Sequence, residues 1–330
     1  WCAARLGSRR GVARRRLAGN MALPVPIRCV LEFAMSASLP SLAFAGLGLM
    51  GVPMCRRLLA AGYPLAVWNR SPGKRELLAA EGAKAVEVPA ELAADAEILM
   101  LCLADTAAVR EVVFGAGGIV ENARPGQLLV DFSSAEPAAT REMAAELEAR
   151  CGVRWVDAPV SGGTPGAESG SLAIMAGGRA ADIERLRPVL SRLGQRLTRM
   201  GEVGAGQVTK VCNQMIVACN ALVIAEVVAL AERAGVDASL VAPALAGGFA
   251  DSKPLQILAP QMAESRYEPV KWHVRTLLKD LDTAVKLSRE QGAATPMSGL
   301  AAQLMRLHGS QGYLERDPAT LVEQYRTAVE

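Results

Sequence analysis

From Leu42 the apolar positions form a short unbroken run and then, beyond a cluster of glycines, fall into helical spacing. The run ends at Gly46, Gly48 and Gly51 follow, and Met50–Ala61 keeps the period of a helix until Gly62 stops it. This pattern predicts a strand, a tight turn and a helix. Leu65–Trp68 is the second strand and ends in Asn69-Arg70-Ser71. Ile98–Leu103 and Gln127–Phe132 are continuous apolar runs, as in strands covered on both faces. Their polar ends are Ala104-Asp105-Thr106 and Ser133-Ser134. Pro137 then opens a helix with its acids and Arg141 on the solvated face. Val153–Val160, Leu172–Met175 and Arg196–Met200 read as further strands, with a helix over Ala180–Leu193 between the last two. Repeated strand-helix-strand units predict an α/β fold with a parallel, doubly wound sheet.

At residues 201–206 the alternation stops, and nearly everything beyond is helical. The predicted organisation is a sheet domain over 39–202 followed by an all-helical domain over 203–330. Residues 207–234 make one long apolar helix interrupted by Lys210, Asn213, Gln214, Asn220 and Glu226. That polarity is too costly for a membrane span, so the helix is expected in a core between domains or subunits. Trp272–Gln291 is amphipathic, with Leu277, Leu281, Ala284 and Val285 as its stripe, and helices are expected at 296–308 and 317–330. Asp251 or Ser252, after a helix-and-loop segment, is expected to reach the functional site. There is no internal repeat.

A chain of 330 residues has room for two domains, and 51% apolar with 21% charged residues describes a soluble globule. The net charge of +3 is unevenly distributed. Residues 1–34 hold seven Arg, no Lys and one acid, Glu32, which leaves 29 basic and 32 acidic side chains in the rest. The foldable part is slightly acidic, so neither nucleic acid nor membrane is an expected partner. The basic stretch has no apolar period. A mitochondrial transit peptide, a polyanion-binding arm and an upstream-extended start compete to explain it. With a single Ser, Ser8, and with Trp1 in first place, it is read as an upstream extension with Met35 as the natural start. A disordered extension over 1–38 and a cytoplasmic rather than mitochondrial location are expected. Seven scattered cysteines show no C-x-x-C and no Cys/His metal spacing, so reduced thiols and no metal site are expected. Only two histidines exist, and His273 and His308 both read as structural.

The G-x-G-x-x-G spacing at Gly46, Gly48 and Gly51 suits a dinucleotide pyrophosphate. The first glycine turns sharply, the second lets backbone approach the ligand, the third lets helix pack on strand, and the helix N-terminus faces the charge. At the end of the second strand Asn69 stands where an NAD-selective site carries an acid, and Arg70 adds a cation. The pair favours NADP, with NAD still open; a plain polar turn is the alternative. Ser161-Gly162-Gly163 allows consecutive N–H groups to converge on a carboxylate, or is an ordinary glycine-rich loop. Lys210, Asn213 and Gln214 share one face of the long helix. Desolvation there lowers a lysine toward general acid–base range, while a snorkelling lysine is the bland reading.

Taken together, GLGLMGVPM, Asp157-Ala158-Pro159-Val160-Ser161-Gly162-Gly163, Gly204-Ala205-Gly206 with Lys210 and Asn213, and Lys279-Asp280-Leu281 resemble the signatures of the β-hydroxyacid dehydrogenases. The resemblance runs from about Leu42 to the C-terminus and leaves the first 34 residues unmatched. It implies a Rossmann-type domain, a helical domain, and hydride exchange between NADP(H) and a short hydroxy acid or aldehyde acid. It also implies Lys210 as acid/base, Asn213 and Gln214 orienting the reacting oxygen, and Ser161, Gly162 and Gly163 holding the substrate carboxylate. Implied cofactor contacts are Gly46, Leu47, Gly48, Leu49, Met50, Gly51, Asn69, Arg70, Ser71, Leu103 and Ser134, with Lys279 closing over the nicotinamide. A homodimer or homotetramer through the helical domain is implied as well. The Asn-Gln pair after the lysine is nearer the 2-hydroxy-3-oxopropionate (tartronate semialdehyde) reductase type than the 3-hydroxyisobutyrate type. Dehydrogenation of L-serine or L-threonate, reduction of succinate semialdehyde or glyoxylate, and a non-catalytic dinucleotide-binding role are the competing readings.

Overall fold

The computed structural model describes residues 39–326, and the extension expected to be disordered lies outside the described residues. The first half runs β1 (Leu42–Ala45), α1 (Gly51–Ala60), β2 (Leu65–Trp68), α2 (Pro72–Ala80), β3 (Lys84–Ala85), α3 (Pro89–Asp95), β4 (Ile98–Leu101), α4 (Thr106–Phe114), β5 (Leu128–Asp131), α5 (Pro137–Cys151) and β6 (Arg154–Asp157). Three of these helices, α2, α3 and α5, start on proline, whose fixed φ and missing N–H suit the first helical position. The six strands pair in parallel in the order β3-β2-β1-β4-β5-β6. Along β1, Leu42 and Phe44 enter the core layer that holds Met54 and Leu58 of α1. Ala43 and Ala45 enter the opposite layer with Val109 of α4 and Leu147 of α5. Helices on both faces are why these strands read as unbroken apolar runs.

The expected strand Val153–Val160 is in fact two. Ala158 N donates to Asp131 O at 2.7 Å, ending the parallel course of β6, and Pro159 has no N–H to continue the ladder. Pro159 O instead accepts from Met175 N at 3.0 Å, and the chain turns into β7 (Val160–Ser161). The glycine-rich stretch after it is not all loop: α6 (Gly163–Ser169) returns the chain to β8 (Leu172–Gly177), followed by α7 (Ala180–Leu190) and β9 (Gly194–Gly201). β8 lies antiparallel to both β6 and β7 and parallel to β9. The sheet is therefore parallel through β6 and mixed beyond it.

The helical half consists of α8 (Ala205–Arg233), α9 (Val241–Leu245), α10 (Lys253–Ala263), α11 (Val274–Glu290), α12 (Pro296–His308) and α13 (Glu323–Arg326). α8 is long and apolar enough to cross a membrane, with a mean hydropathy of 2.0 over its most apolar window. One face of it is buried: Ala218, Leu222, Ala225 and Val228 pack with Leu258 and Met262 of α10, Leu277 and Leu281 of α11 and Met305 of α12. Of the helix expected at 317–330, residues 327–330 lie outside the described residues, and the described part is α-helical from Glu323. Asp317 accepts from Ala319 N through its side chain and from Thr320 N through its carbonyl, tightening Pro318–Val322 into a 3-10 turn before α13. Both histidines are structural. His308 is buried, stacks on Tyr313 and bonds Thr320 Oγ1 at 2.9 Å, and burial pushes it down to about 4. His273 Nδ1 lies 2.9 Å from Glu315 O.

Sheet and helices meet at Asp157, the last residue of β6. Its carboxylate accepts from Gly204 N at 2.7 Å and Gln207 N at 2.8 Å, capping the N-terminus of α8. Gly206 permits the approach, because a Cβ there would stand 2.3 Å from Met175 O and 2.8 Å from both Asp157 O and Oδ2. All three atoms belong to the buried sheet edge or its cap, so none can move cheaply. We expect Gly206→Ala to destabilise the protein by about 3 kcal/mol, read as a lowered urea midpoint at unchanged m-value. An unaltered midpoint would show that the junction is looser than this geometry.

Candidate active site

The glycine turn at the end of β1 has one open position between two closed ones. A Cβ on Gly46 would meet Cys102 O at 2.2 Å, and one on Gly51 would meet Gly46 O at 1.9 Å. Gly46 also has φ +101°, the left-handed region that favours glycine. At Gly48 a Cβ would find nothing within 4 Å, so space is left where a ligand can approach backbone. Helix α1 begins here with no capping side chain and no acid in its first turn, leaving its N–H groups and positive end for an anion. The turn fits a dinucleotide pyrophosphate on both counts. Asn69, at the end of β2, braces it: Oδ1 accepts from Leu47 N at 2.9 Å and Nδ2 donates to Ser71 O at 3.1 Å. Beside it Arg70 is exposed and makes no ion pair among the described residues. Leu103 packs against the turn, its Cδ2 standing 2.9 Å from a Cβ placed on Gly46. Leu49 is exposed and Met50 half-buried at the mouth.

A narrow crevice between the sheet ends and the helices is lined by Ser134, Ala135, Gln207, Lys210, Gln214, Asp280 and Thr283. Lys210 projects from the second turn of α8, and its Nζ donates to Val160 O at 2.9 Å. That carbonyl precedes Ser161, Gly162 and Gly163, so the lysine and the expected carboxylate nest are neighbours. Gly162 and Gly163 have φ of +137° and +62°, a backbone that glycine alone adopts without strain. Burial holds Lys210 below the ordinary lysine value; Asp280 pulls it back up and Lys279 adds to the lowering. Asn213 Nδ2 donates to Gln214 Oε1 at 2.7 Å, and Gln214 Nε2 donates to Asp280 Oδ2 at 2.5 Å. Lys279 Nζ stands 3.4 Å from Asp280 Oδ1 and is half-exposed.

Behind the crevice lie two buried carboxyls at register positions of β5 and β6, Asp131 and Asp157. Asp131 Oδ1 accepts from Ser133 N at 2.9 Å, while Oδ2 has no hydrogen-bond partner among the described residues. Burial pushes Asp131 up to about 7. Burial also raises Asp157, against the N–H groups of Gly204, Gln207 and Gly206, which pull it down. Ser133 Oγ in turn accepts from Leu103 N at 2.8 Å, tying the ends of β4 and β5 together.

The structure thus places Lys210, Gln214 and Ser134 in one crevice, with Asn213 bonded to Gln214, Lys279 facing Asp280, and Ser161 directly after the carbonyl that Lys210 meets. Gly46–Gly51, Asn69, Arg70, Ser71 and Leu103 gather at the glycine turn. Asp251 and Ser252 do not line the crevice: Asp251 accepts from Gly247 N and Gln256 Nε2, and Ser252 caps α10 through Leu255 N. Short polar side chains beside a helix start satisfy local backbone first. Among the crevice residues to which the sequence reading gives no role are Gln207 and Asp280, the latter quoted there only within a signature. Gln207, Lys210 and Gln214 recur at i, i+3 and i+7, and Asp280 lies on the same stripe as Leu277 and Leu281. A polar residue on a buried helical stripe was the available signal.

Comparison with known proteins extends over this whole assembly. Residues 41–201 match the family model for the NAD binding domain of 6-phosphogluconate dehydrogenase, and residues 204–325 that for the NAD-binding of NADP-dependent 3-hydroxyisobutyrate dehydrogenase. The chain is 36% identical over 282 residues to the 2-hydroxy-3-oxopropionate reductase of Escherichia coli (strain K12), covering 86% of this chain and 96% of that one. It resembles the structure of Mycobacterium tuberculosis 3-hydroxyisobutyrate dehydrogenase with L-serine at TM-score 0.79 and 29% identity, over 88% of this chain and all of the other (100%). The structure of Psf3 in complex with NADP+ and 2-OPP is similar at TM-score 0.77 and 26% identity, over 86% and 99% of the two chains.

Proposed function

The chain belongs to the β-hydroxyacid dehydrogenase family, nicotinamide-dinucleotide oxidoreductases acting on the hydroxyl group of small acids, and from that premise we propose that it interconverts a short β-hydroxy acid and its semialdehyde, of the 2-hydroxy-3-oxopropionate type, with NADP(H). The observation that carries this reading is the placement of a half-buried, down-shifted Lys210 in one crevice with Ser134 and beside the Ser161–Gly163 segment. The bound dinucleotide supplies the hydride in reduction and takes it back in oxidation. Gly46–Gly51 and the N-terminus of α1 hold its pyrophosphate, with Leu103 and Ser134 along its path. The N–H groups of Ser161, Gly162 and Gly163 hold the substrate carboxylate. In reduction Lys210 Nζ gives a proton to the carbonyl oxygen as its C=O bond becomes C–O, and the lysine regains the proton from water. In oxidation the neutral amine accepts it from the hydroxyl. Asn213 and Gln214, locked to each other and to Asp280, fix the direction from which that oxygen is met.

Arg70 supports NADP over NAD. An exposed guanidinium with no ion-pair partner among the described residues stands beside Asn69, whose amide is committed to Leu47 N and Ser71 O and carries no charge to repel a 2′-phosphate. The Asn213-Gln214 pair and the similarity to the 2-hydroxy-3-oxopropionate reductase support the substrate type. Ile216, Val223, Val227 and Leu230 form one exposed apolar stripe along α8, which supports self-association through the helical half.

Three measurements test these readings. Following NADPH absorbance with a panel of small aldehyde acids, 2-hydroxy-3-oxopropionate is expected to have the highest kcat/KM. Lys210→Ala and Lys210→Arg should lower its turnover about a thousandfold with the fold intact. In the wild type the rate of reduction should fall as pH rises through a value below 10.5, the usual lysine figure. Near-normal turnover in either variant refutes the lysine's role. Arg70→Ala should raise KM for NADPH about tenfold and leave KM for NADH within about twofold; equal effects refute the phosphate contact. Sedimentation velocity should show an oligomer that Val223→Glu with Leu230→Glu converts to monomer, and a monomeric wild type would end the stripe's assignment.

A further inference from the structure

Gln207 sits one turn before Lys210, on the same side of α8, and is 1% exposed. Its side chain makes two opposed hydrogen bonds to one short segment. Nε2 donates to Ser133 O at 2.8 Å, and Oε1 accepts from Ala135 N at 3.1 Å. The residue between those two backbone groups is Ser134, which lines the crevice. The backbone N–H of Gln207 itself donates to Asp157 Oδ2 at 2.8 Å. One residue is thus fastened at its backbone to β6 and at its side chain to the β5–α5 connection. An amide is suited to this because it presents a donor and an acceptor side by side, as the backbone of a neighbouring strand does.

We propose that Gln207 is a positioning residue that clamps the Ser133–Ala135 segment to the first turn of α8 and so sets where Ser134 meets the cofactor relative to Lys210. The inference rests on the reading of Ser134 as a cofactor contact. No other side chain bonds both Ser133 O and Ala135 N among the described residues. Without the clamp both groups lie buried with no partner, and the segment must move to find water. Lys210 stays fixed, because Asp157 still caps the helix. What changes is the cofactor side of the crevice, so the loss falls on dinucleotide affinity rather than on proton transfer.

Gln207→Glu gives this a signature that a merely structural role lacks. When protonated, its carboxylic acid donates O–H to Ser133 O and accepts from Ala135 N, reproducing the clamp; as a carboxylate it can only accept, and faces the Ser133 carbonyl with like charge. Ionisable groups around the position are Asp157 on β6, Asp131 on β5, Glu136 and Arg141 at the start of α5, Lys210 on α8 and Asp280 on α11, so each variant is compared with wild type at the same pH. NADP+ and NAD+ binding is measured by calorimetry at pH 5.5 and 8.5, with thermal unfolding of every protein at both. For Gln207→Glu, affinity for the preferred dinucleotide is expected within about threefold of wild type at pH 5.5 and about tenfold weaker at pH 8.5, while kcat at saturating cofactor changes less. Gln207→Met, of similar length with neither donor nor acceptor, should bind weakly at both pH values. The same variant-to-wild-type ratio at both pH values for Gln207→Glu, or wild-type affinity in Gln207→Met, overturns the proposal. Should Gln207→Glu not fold at pH 8.5, Gln207→Met alone decides. A wild type that binds neither dinucleotide overturns the cofactor reading as well.

Discussion

The Asp157 carboxylate at the N-terminus of α8 is the constraint on which the rest depends. A 29-residue helix must begin within hydrogen-bonding distance of a strand end, and every atom around that start is already committed. Gly204 N and Gln207 N point at the carboxylate, and Gly206 lies against Met175 O and Asp157 O. Gly177 comes equally close, since a Cβ there would stand 2.5 Å from Asp157 Oδ1. Burying a charge is expensive, and burial does raise this carboxyl. The helix offsets the cost with N–H donors and the positive end of its dipole. A neutral cap would satisfy the donors but lose the charge–dipole attraction, and a longer acid would not fit between Gly177 and Gly206.

From that anchor the chemistry inherits its geometry. Lys210 is one turn beyond Gln207, so fixing the first turn of α8 fixes the height at which the amine emerges. The amine reaches Val160 O because Pro159 ends the parallel course of β6 and turns the chain into β7 beneath the helix. A β6 that continued straight would carry Val160 and Ser161 along the sheet and away from the crevice. The mixed edge of the sheet therefore serves to fold the Ser161–Gly163 segment back toward α8.

The sequence made the scaffold legible wherever one local rule was enough. Doubly covered strands appear as apolar runs, α8 and α11 as long periodic segments, and Gly46, Gly48 and Gly51 as a spacing with its own physical meaning. The split of Val153–Val160 was legible in principle, since Pro159 is visible, but the reversal of direction depends on Met175 meeting Pro159 O, a contact sixteen residues distant. The α-helix expected from 317 starts at Glu323, because Asp317-Pro318 favours a tight turn whose Leu321 and Val322 pack in the same core as α8. Lys210, Asn213 and Gln214 were found as polar residues on an apolar helix. Gln207 and Asp280 obey the same rule, but each reads alone as an ordinary polar position: their partners, Ser133 with Ala135 and Gln214, come from other elements, and periodicity within one helix says nothing about what faces it.

The surroundings of Lys210 also limit what its neighbours can do. Of its three N–H donors one is held by Val160 O, a backbone carbonyl that fixes the direction of the amine without exchanging a proton with it. Asp280 shares the crevice with Lys210, yet its Oδ2 is held by Gln214 at 2.5 Å and its Oδ1 faces Lys279. It acts on Lys210 through charge, raising a lysine that burial and Lys279 lower. Two opposing influences of this kind suit the acid–base role proposed for it. Burial favours the neutral amine and Asp280 the charged one, so the two act on Lys210 in opposite senses. The balance is set on the helical side of the crevice, where Gln214 and Lys279 hold the Asp280 carboxylate in place.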